Sequence, residues 1–147
     1  MKLEVKPWNE LSRKEINDIF SLRSEVFIVE QECAYQDVDG KDKQAAHVLL
    51  HIDNELVGYT RVFPENTYFK EASFGRAVVK KIHRGEGYGH LIVDKALEHL
   101  KKNKQSPIKI SAQSYLKKFY LSHGFIPKGD EYLEDNIPHI AMFLIFS

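Results

Sequence analysis

The stretch Arg84-Gly85-Glu86-Gly87-Tyr88-Gly89-His90 has the residue types and spacing of a phosphate cradle. Glycines on alternate positions remove the Cβ atoms that would hold a ligand off the backbone, and they permit dihedral angles that turn successive N–H groups inward. A helix-patterned segment, residues 91–100, follows directly. Its first N–H groups lack intrahelical partners and its dipole is positive at that end, so a pyrophosphate could sit there with Arg84 as an added cation. An ordinary glycine-rich turn has the same composition, and the segment alone leaves both readings open.

Other residues invite chemistry less directly. Asp37, Asp39 and Asp42 are closely spaced in a polar stretch over residues 31–44, but a calcium loop needs a glutamate at its twelfth position, where Val48 stands. The seven histidines include no trio at ligand spacing, and the single cysteine, Cys33, can form no internal disulfide, so no metal is expected. The glycines lie mid-chain, after three strand-like runs, which sets aside a dinucleotide fold. Gly89-His90-Leu91 also lacks the Gly-Lys-Ser/Thr ending of a phosphate-loop ATPase.

The elements that must position these residues follow from hydrophobic period and punctuation. Leu3 and Val5 alternate with charges up to Pro7, a short strand. Ser12 and Glu15 form a capping box, and Ile16, Ile19, Phe20, Val26 and Phe27 keep helical spacing toward Val29. Residues 47–52 and 56–63 read as a hairpin about Asp53-Asn54-Glu55, and residues 72–79 as a third run. A helix over 87–102, a strand over 107–112 and a short helix over 115–123 come next, the last closed by Gly124 in the left-handed C-cap role. A return begins at 125–127, and residues 139–146 are apolar enough for a strand covered on both faces. The order β-α-β-β-β-α-β-α-β-β makes a mixed sheet with helices on its faces, an α/β chain whose 147 residues form one domain with one core.

Composition narrows the partners. With 43% apolar and 29% charged residues this is an ordinary globular balance, and 21 basic residues offset 21 acidic ones, so no global field draws the chain to nucleic acid or to an anionic membrane. No run approaches the roughly 18 apolar residues of a membrane span, and the amino terminus lacks a signal-peptide pattern. A reducing, cytoplasmic location is expected.

Element order and the residues from Arg76 to His90 resemble the GNAT superfamily of N-acetyltransferases. The family's cofactor loop reads Arg/Gln-x-x-Gly-x-Gly/Ala, and Arg84, Gly87 and Gly89 fill those places. Phe119-Tyr120-Leu121-Ser122-His123-Gly124-Phe125 is similar to its Phe-Tyr-x-x-x-Gly-Phe segment. A narrower resemblance, to the ElaA-like group, covers nearly the whole chain. Its residues here are Leu22-Arg23-x-x-Val26-Phe27-x-Val29-Glu30-Gln31, Tyr35-x-Asp37-x-Asp39-x-x-Asp42, His47 and Ile137-Pro138-His139-Ile140-x-Met142. The resemblance implies the acyl-CoA N-acyltransferase fold, a mostly antiparallel mixed sheet of six to seven strands flanked by about four helices.

It also implies roles. Acetyl-CoA would be the co-substrate, with Ala77, Val78 and Val79 binding the pantetheine arm and thioester through backbone groups and the Val79 N–H aimed at the acetyl oxygen. Gly85, Glu86, Gly87, Tyr88, Gly89 and His90 would carry the pyrophosphate beside Arg84. Glu86 and Tyr88 would give only N–H groups and face outward, since a carboxylate aimed at phosphate repels it. Tyr120 stands where the family places the general acid for the departing thiolate; a packed helix tyrosine is the competing interpretation. Gln113 stands where relatives commonly carry an asparagine that bonds pantetheine, a departure in side-chain length. Glu30, Asp37, Asp39 and Asp42 fall in the segment that flanks the acceptor groove in relatives, and His47 and His139 open two strands that could border it. The general base stays open among them, and the acidic cluster favours a cationic amine, small molecule or peptide. A homodimer is left open, and the rival function is a non-catalytic acyl-CoA sensor or partner-binding module on the same fold.

Overall fold

The computed structural model describes residues 1–146, with the elements β1 (Lys2–Pro7), α1 (Arg13–Arg23), β2 (Ala46–Ile52), β3 (Glu55–Phe63), β4 (Ser73–Val79), α2 (Tyr88–Lys102), β5 (Ile108–Gln113), α3 (Lys117–Leu121), β6 (Ile126–Pro127), β7 (Tyr132–Glu134) and β8 (Ile137–Leu144). The capping box forms as its sequence requires: Ser12 Oγ accepts from the Glu15 N–H at 3.0 Å, and Glu15 Oε1 accepts from the Ser12 N–H at 2.8 Å. The β2–β3 turn places Asp53 and Asn54 at φ 50° and 65°. Short polar side chains tolerate this left-handed conformation, and two such residues in succession match the twist of a tight hairpin. Asp135 and Asn136, at φ 52° and 62°, do the same between β7 and β8. β7 itself lies outside the expected strands.

Helical spacing predicts an α-helix running on toward Val29, but residues after Arg23 widen into a π-helix over Ser24–Glu30. Its mark is the step of five: the Gln31 N–H donates to the Val26 C=O and the Cys33 N–H to the Ile28 C=O, both at 3.1 Å. The extra residue per turn lets neighbouring Val26 and Phe27 both enter the core, while neighbouring Glu30 and Gln31 both reach one cleft.

The expected single sheet is instead two. β1, β2, β3 and β4 pair antiparallel in that order, and β8 pairs antiparallel with β5 on one side and with β6 and β7 on the other. One parallel bridge, Ala72 to Ile108, joins them, with the Lys109 N–H donating to the Ala72 C=O at 2.9 Å. Helix α2 packs Ile92, Val93, Ala96 and Leu100 over one face, against Val48, Leu50 and Val62 of the first sheet and Ile108, Ile110 and Met142 of the second. Helix α1 covers the opposite face with Ile19 and Leu22 on Leu49, Tyr59 and Val78. Every residue of β3 after Glu55 is consequently buried. Gly58 permits the closest approach, since a Cβ there would lie 3.3 Å from Leu50 and 3.4 Å from Ile92. No described helix is long and apolar enough to cross a membrane.

Candidate active site

Strands β4 and β5 start together at the Ala72 bridge and then part, and a cleft of about 710 Å³ opens between them. A bulge turns β4 along this gap: Tyr59 faces Val78 and Arg61 faces Gly75, so Arg76 and Ala77 share the place opposite Thr60. Arg76 sits at φ 51°, the left-handed region. The Thr60 hydroxyl donates to the Gly75 C=O at 2.7 Å. Beyond the bulge the Lys80 N–H donates back to the Val57 C=O at 2.8 Å. Strand N–H groups alternate sides, which turns that of Val79 toward the cleft.

The cradle follows at once. Gly85 and Gly87 have φ of 86° and 81°, and a Cβ on either would project into open space with no atom within 4 Å. Gly87 caps α2 without a side-chain acceptor, so the helix's first N–H groups have no side-chain partner at their own end. This open, donor-rich turn fits a pyrophosphate. Glu86 is exposed and faces outward as expected. Tyr88 does not: it is half-buried against the main core, because its ring is apolar surface next to His83 and the sheet. The His90 ring packs on Phe119 and bonds His123 at 2.8 Å, which leaves the backbone of His90 for a ligand.

Arg84 is engaged elsewhere than at a phosphate. Its Nε–H donates to the Val79 C=O at 2.9 Å and its guanidinium pairs with Glu30, Nη2 to Oε1 at 3.0 Å. The hydrogen bond from Arg84 holds the Glu30 carboxyl below its ordinary pKa. Glu30, read from sequence as an acceptor contact, is therefore neutralised by the residue read as a phosphate cation.

Tyr120, at the far wall of the cleft, is 7% exposed, its ring against Phe74, Phe119 and Phe125. Burial first, and then neighbouring Tyr115, push its pKa up, so the phenol stays protonated. Gln113 ends β5 on the cleft wall, Nε2 3.4 Å from Gln31 Oε1. His139 reaches the same cleft from β8, its Nδ1–H donating to the Ile137 C=O at 2.7 Å.

Four candidates, Asp37, Asp39, Asp42 and His47, lie off the cleft. Asp37 is buried between Arg23 Nε and Arg76 Nε, each at 2.8 Å, with the Tyr35 hydroxyl at 3.0 Å. Asp42 Oδ1 bridges Arg23 at 2.6 Å and Arg61 at 3.2 Å, and Asp39 grips Arg61 at 2.6 Å. Three guanidiniums thus cancel three carboxylates, and the expected field for a cationic acceptor is absent from this loop. His47 is buried as well, its Nε2–H on the Asp42 C=O at 2.8 Å and its Nδ1 accepting from the Tyr59 hydroxyl at 2.5 Å. Burial lowers its pKa and it stays neutral. All four have partners within the fold, and the arginines that pair with this loop sit on α1, β3 and β4, beyond the reach of local sequence reasoning.

The structure adds cleft residues that sequence reasoning missed: Ser111, Glu134 and Asp135. The Asp135-Asn136 pair signals a hairpin as clearly as Asp53-Asn54 does, and marks the place of Glu134 and Asp135. Among the described residues no group of three His, Cys, Asp or Glu side chains is placed to share a metal ion.

Comparison with known proteins agrees with this architecture. A family model described as an acetyltransferase (GNAT) domain matches residues 9–146. A UPF0039 protein of Schizosaccharomyces pombe is 42% identical over 147 residues, 98% of this chain and 97% of its own. The crystal structure of an acyl-CoA N-acyltransferase from Pseudomonas aeruginosa superposes with a TM-score of 0.91 at 34% identity, covering 97% of this chain and 99% of that one. Escherichia coli ElaA superposes at 0.90 with 36% identity, covering 97% of each chain. With a family model that spans nearly the whole sequence and relatives named ElaA and UPF0039 that match it along their length, the chain belongs to the GNAT acetyltransferase family.

Proposed function

We propose that this chain moves an acetyl group from acetyl-CoA to a primary amine by direct attack in a ternary complex, with Tyr120 as general acid. The observation that carries the reading is one cleft whose lining includes the open cradle of Gly85 and Gly87, Val79 of β4 and the buried Tyr120. The cradle and the α2 end bind the pyrophosphate. Ala77, Val78 and Val79 offer backbone groups to the pantetheine arm, and Gln113 offers its amide from the opposite wall. The Val79 N–H polarises the acyl oxygen, as a rigid main-chain donor suits. Bound coenzyme A thioester supplies the activated acyl group. Tyr120 gives its proton to the sulfur as the thiolate departs, and burial keeps that proton available at neutral pH.

Thiol release from acetyl-CoA, followed with a panel of small amines and basic peptides, tests the reading. Tyr120→Phe is expected to lower kcat by about 10²-fold while coenzyme A affinity stays unchanged, the mark of an interaction made only in the transition state. Tight coenzyme A binding with no amine raising turnover would instead favour a sensor on this fold. The unpaired Cys33 thiol suits a cytoplasmic setting for this activity.

A further inference from the structure

We propose that His139 is the general base on the acceptor side, and that Glu134 holds the ammonium group of a primary alkylamine against it; the inference rests on the acyl-transfer reading above. His139 stands directly opposite Gln113 in β5 and opposite Tyr132 in β7. Residues paired across antiparallel strands share a face with their Cβ atoms about 5 Å apart, so His139 adjoins the side chain expected at the pantetheine.

Its surroundings fix which nitrogen does the work. The Ile137 carbonyl can only accept, so Nδ1 carries the proton of the neutral ring and Nε2 carries the lone pair. Nε2 lies 3.4 Å from Glu134 Oε2. The Tyr132 ring stacks on the imidazole with centroids 6.1 Å apart, its hydroxyl bonds Ser111 Oγ, and Ser111 donates to Glu134 Oε1 at 3.3 Å. The Ile137 carbonyl thereby fixes the tautomer, while Tyr132 and Ser111 hold the carboxylate beside the ring, leaving a place between Nε2 and Oε2 for a donor such as an ammonium group. The His139 side chain is 8% exposed and that of Glu134 46%, so the base is anchored in the wall with its carboxylate turned outward. The other acids considered for this role have partners already: Glu30 holds Arg84, and Asp37, Asp39 and Asp42 hold Arg23, Arg61 and Arg76.

The protons balance. An ammonium N–H bond breaks as the Nε2–H bond forms, directly or through one water. The neutral nitrogen forms the C–N bond as the thioester C–S bond breaks. Tyr120 delivers its proton to sulfur and recovers the second nitrogen proton, and His139 returns its own to solvent.

Two amines separate this role from a structural one. Propylamine is protonated at neutral pH and needs a base, whereas hydroxylamine is mostly neutral there and does not. His139→Asn, which can still donate to the Ile137 carbonyl, is expected to lower kcat/KM for propylamine by about 10²-fold, to leave hydroxylamine acetylation and coenzyme A affinity near wild type, and to regain propylamine turnover with added imidazole. Glu134→Gln should raise KM for propylamine alone. Equal loss on both amines, or no rescue by imidazole, overturns the assignment while leaving the acyl-transfer reading intact. If the wild-type protein binds coenzyme A and acetylates neither amine, the acyl-transfer reading falls and the base falls with it.

Discussion

Asp42→Ala is expected to lower the unfolding free energy by about 3–5 kcal/mol, the range for breaking a buried ion pair, and to drop the thermal midpoint by about 10 °C in a domain of this size. Asp42 bridges Arg23 and Arg61, which are 0% and 1% exposed. Without it two guanidiniums keep their desolvation cost and lose a shared counter-charge. Urea unfolding at neutral pH measures the effect, and a loss below about 1 kcal/mol, the worth of a surface pair, would show that the network contributes little. Added salt should change the difference between variant and wild type only slightly, because buried pairs are poorly screened. Acid should matter more. Burial opposes ionisation of Asp39, yet the Arg61 guanidinium outweighs it and holds that carboxyl below its usual range. The stability this supplies is present above the unfolded pKa, about 3.9, and is lost as pH falls through the folded value. Asp39→Asn should accordingly flatten the loss of stability below about pH 4.

The network also reaches the site. Arg76 occupies the bulge of β4 in the left-handed region, a conformation that a bulky residue keeps only when its surroundings enforce it. Asp37 grips its Nε, the Asp37 C=O accepts from Nη2 at 3.2 Å, and the Tyr35 ring lies under the guanidinium. Asp37 of the polar loop thus braces the bulge of β4.

How much of this was legible in the sequence follows from the range of each interaction. The capping box, the Asp53-Asn54 hairpin, the Gly124 cap and the glycine cradle are local, so neighbouring residues specify them. Tyr120 stands in a motif and Gln113 shortly before it, and both line the same cleft as the cradle. The ion pairs of the acidic loop are not legible, because charge is readable along a chain and its cancellation is not: the compensating arginines come from three other elements. The β7 side of the cleft closes where the Cys33 thiol meets the Asp135 C=O, 102 residues away, a contact that neighbouring residues do not specify. Short β7 gave too few residues for a period, and only its turn pair marked it.

Gly87→Val is expected to weaken coenzyme A binding by about 10³-fold, or about 4 kcal/mol. Two effects add. Gly87 holds φ 81°, where an L-residue with a branched Cβ is strained by roughly 1–2 kcal/mol, so the turn moves to relieve it. The added methyl groups project into the open space before the α2 end, where each displaced charge-assisted hydrogen bond to phosphate forfeits about 1.5–3 kcal/mol. Isothermal titration with coenzyme A measures the loss, and dephosphorylated pantetheine gives the internal control. Pantetheine lacks the pyrophosphate, so its weaker affinity should be nearly the same for variant and wild type. Gly85→Ala, at φ 86° with the same open space, should fall between them. If valine at position 87 left coenzyme A affinity unchanged, the turn would be an ordinary connection, and the donor path from cradle to Val79 to Tyr120 would lose its starting point.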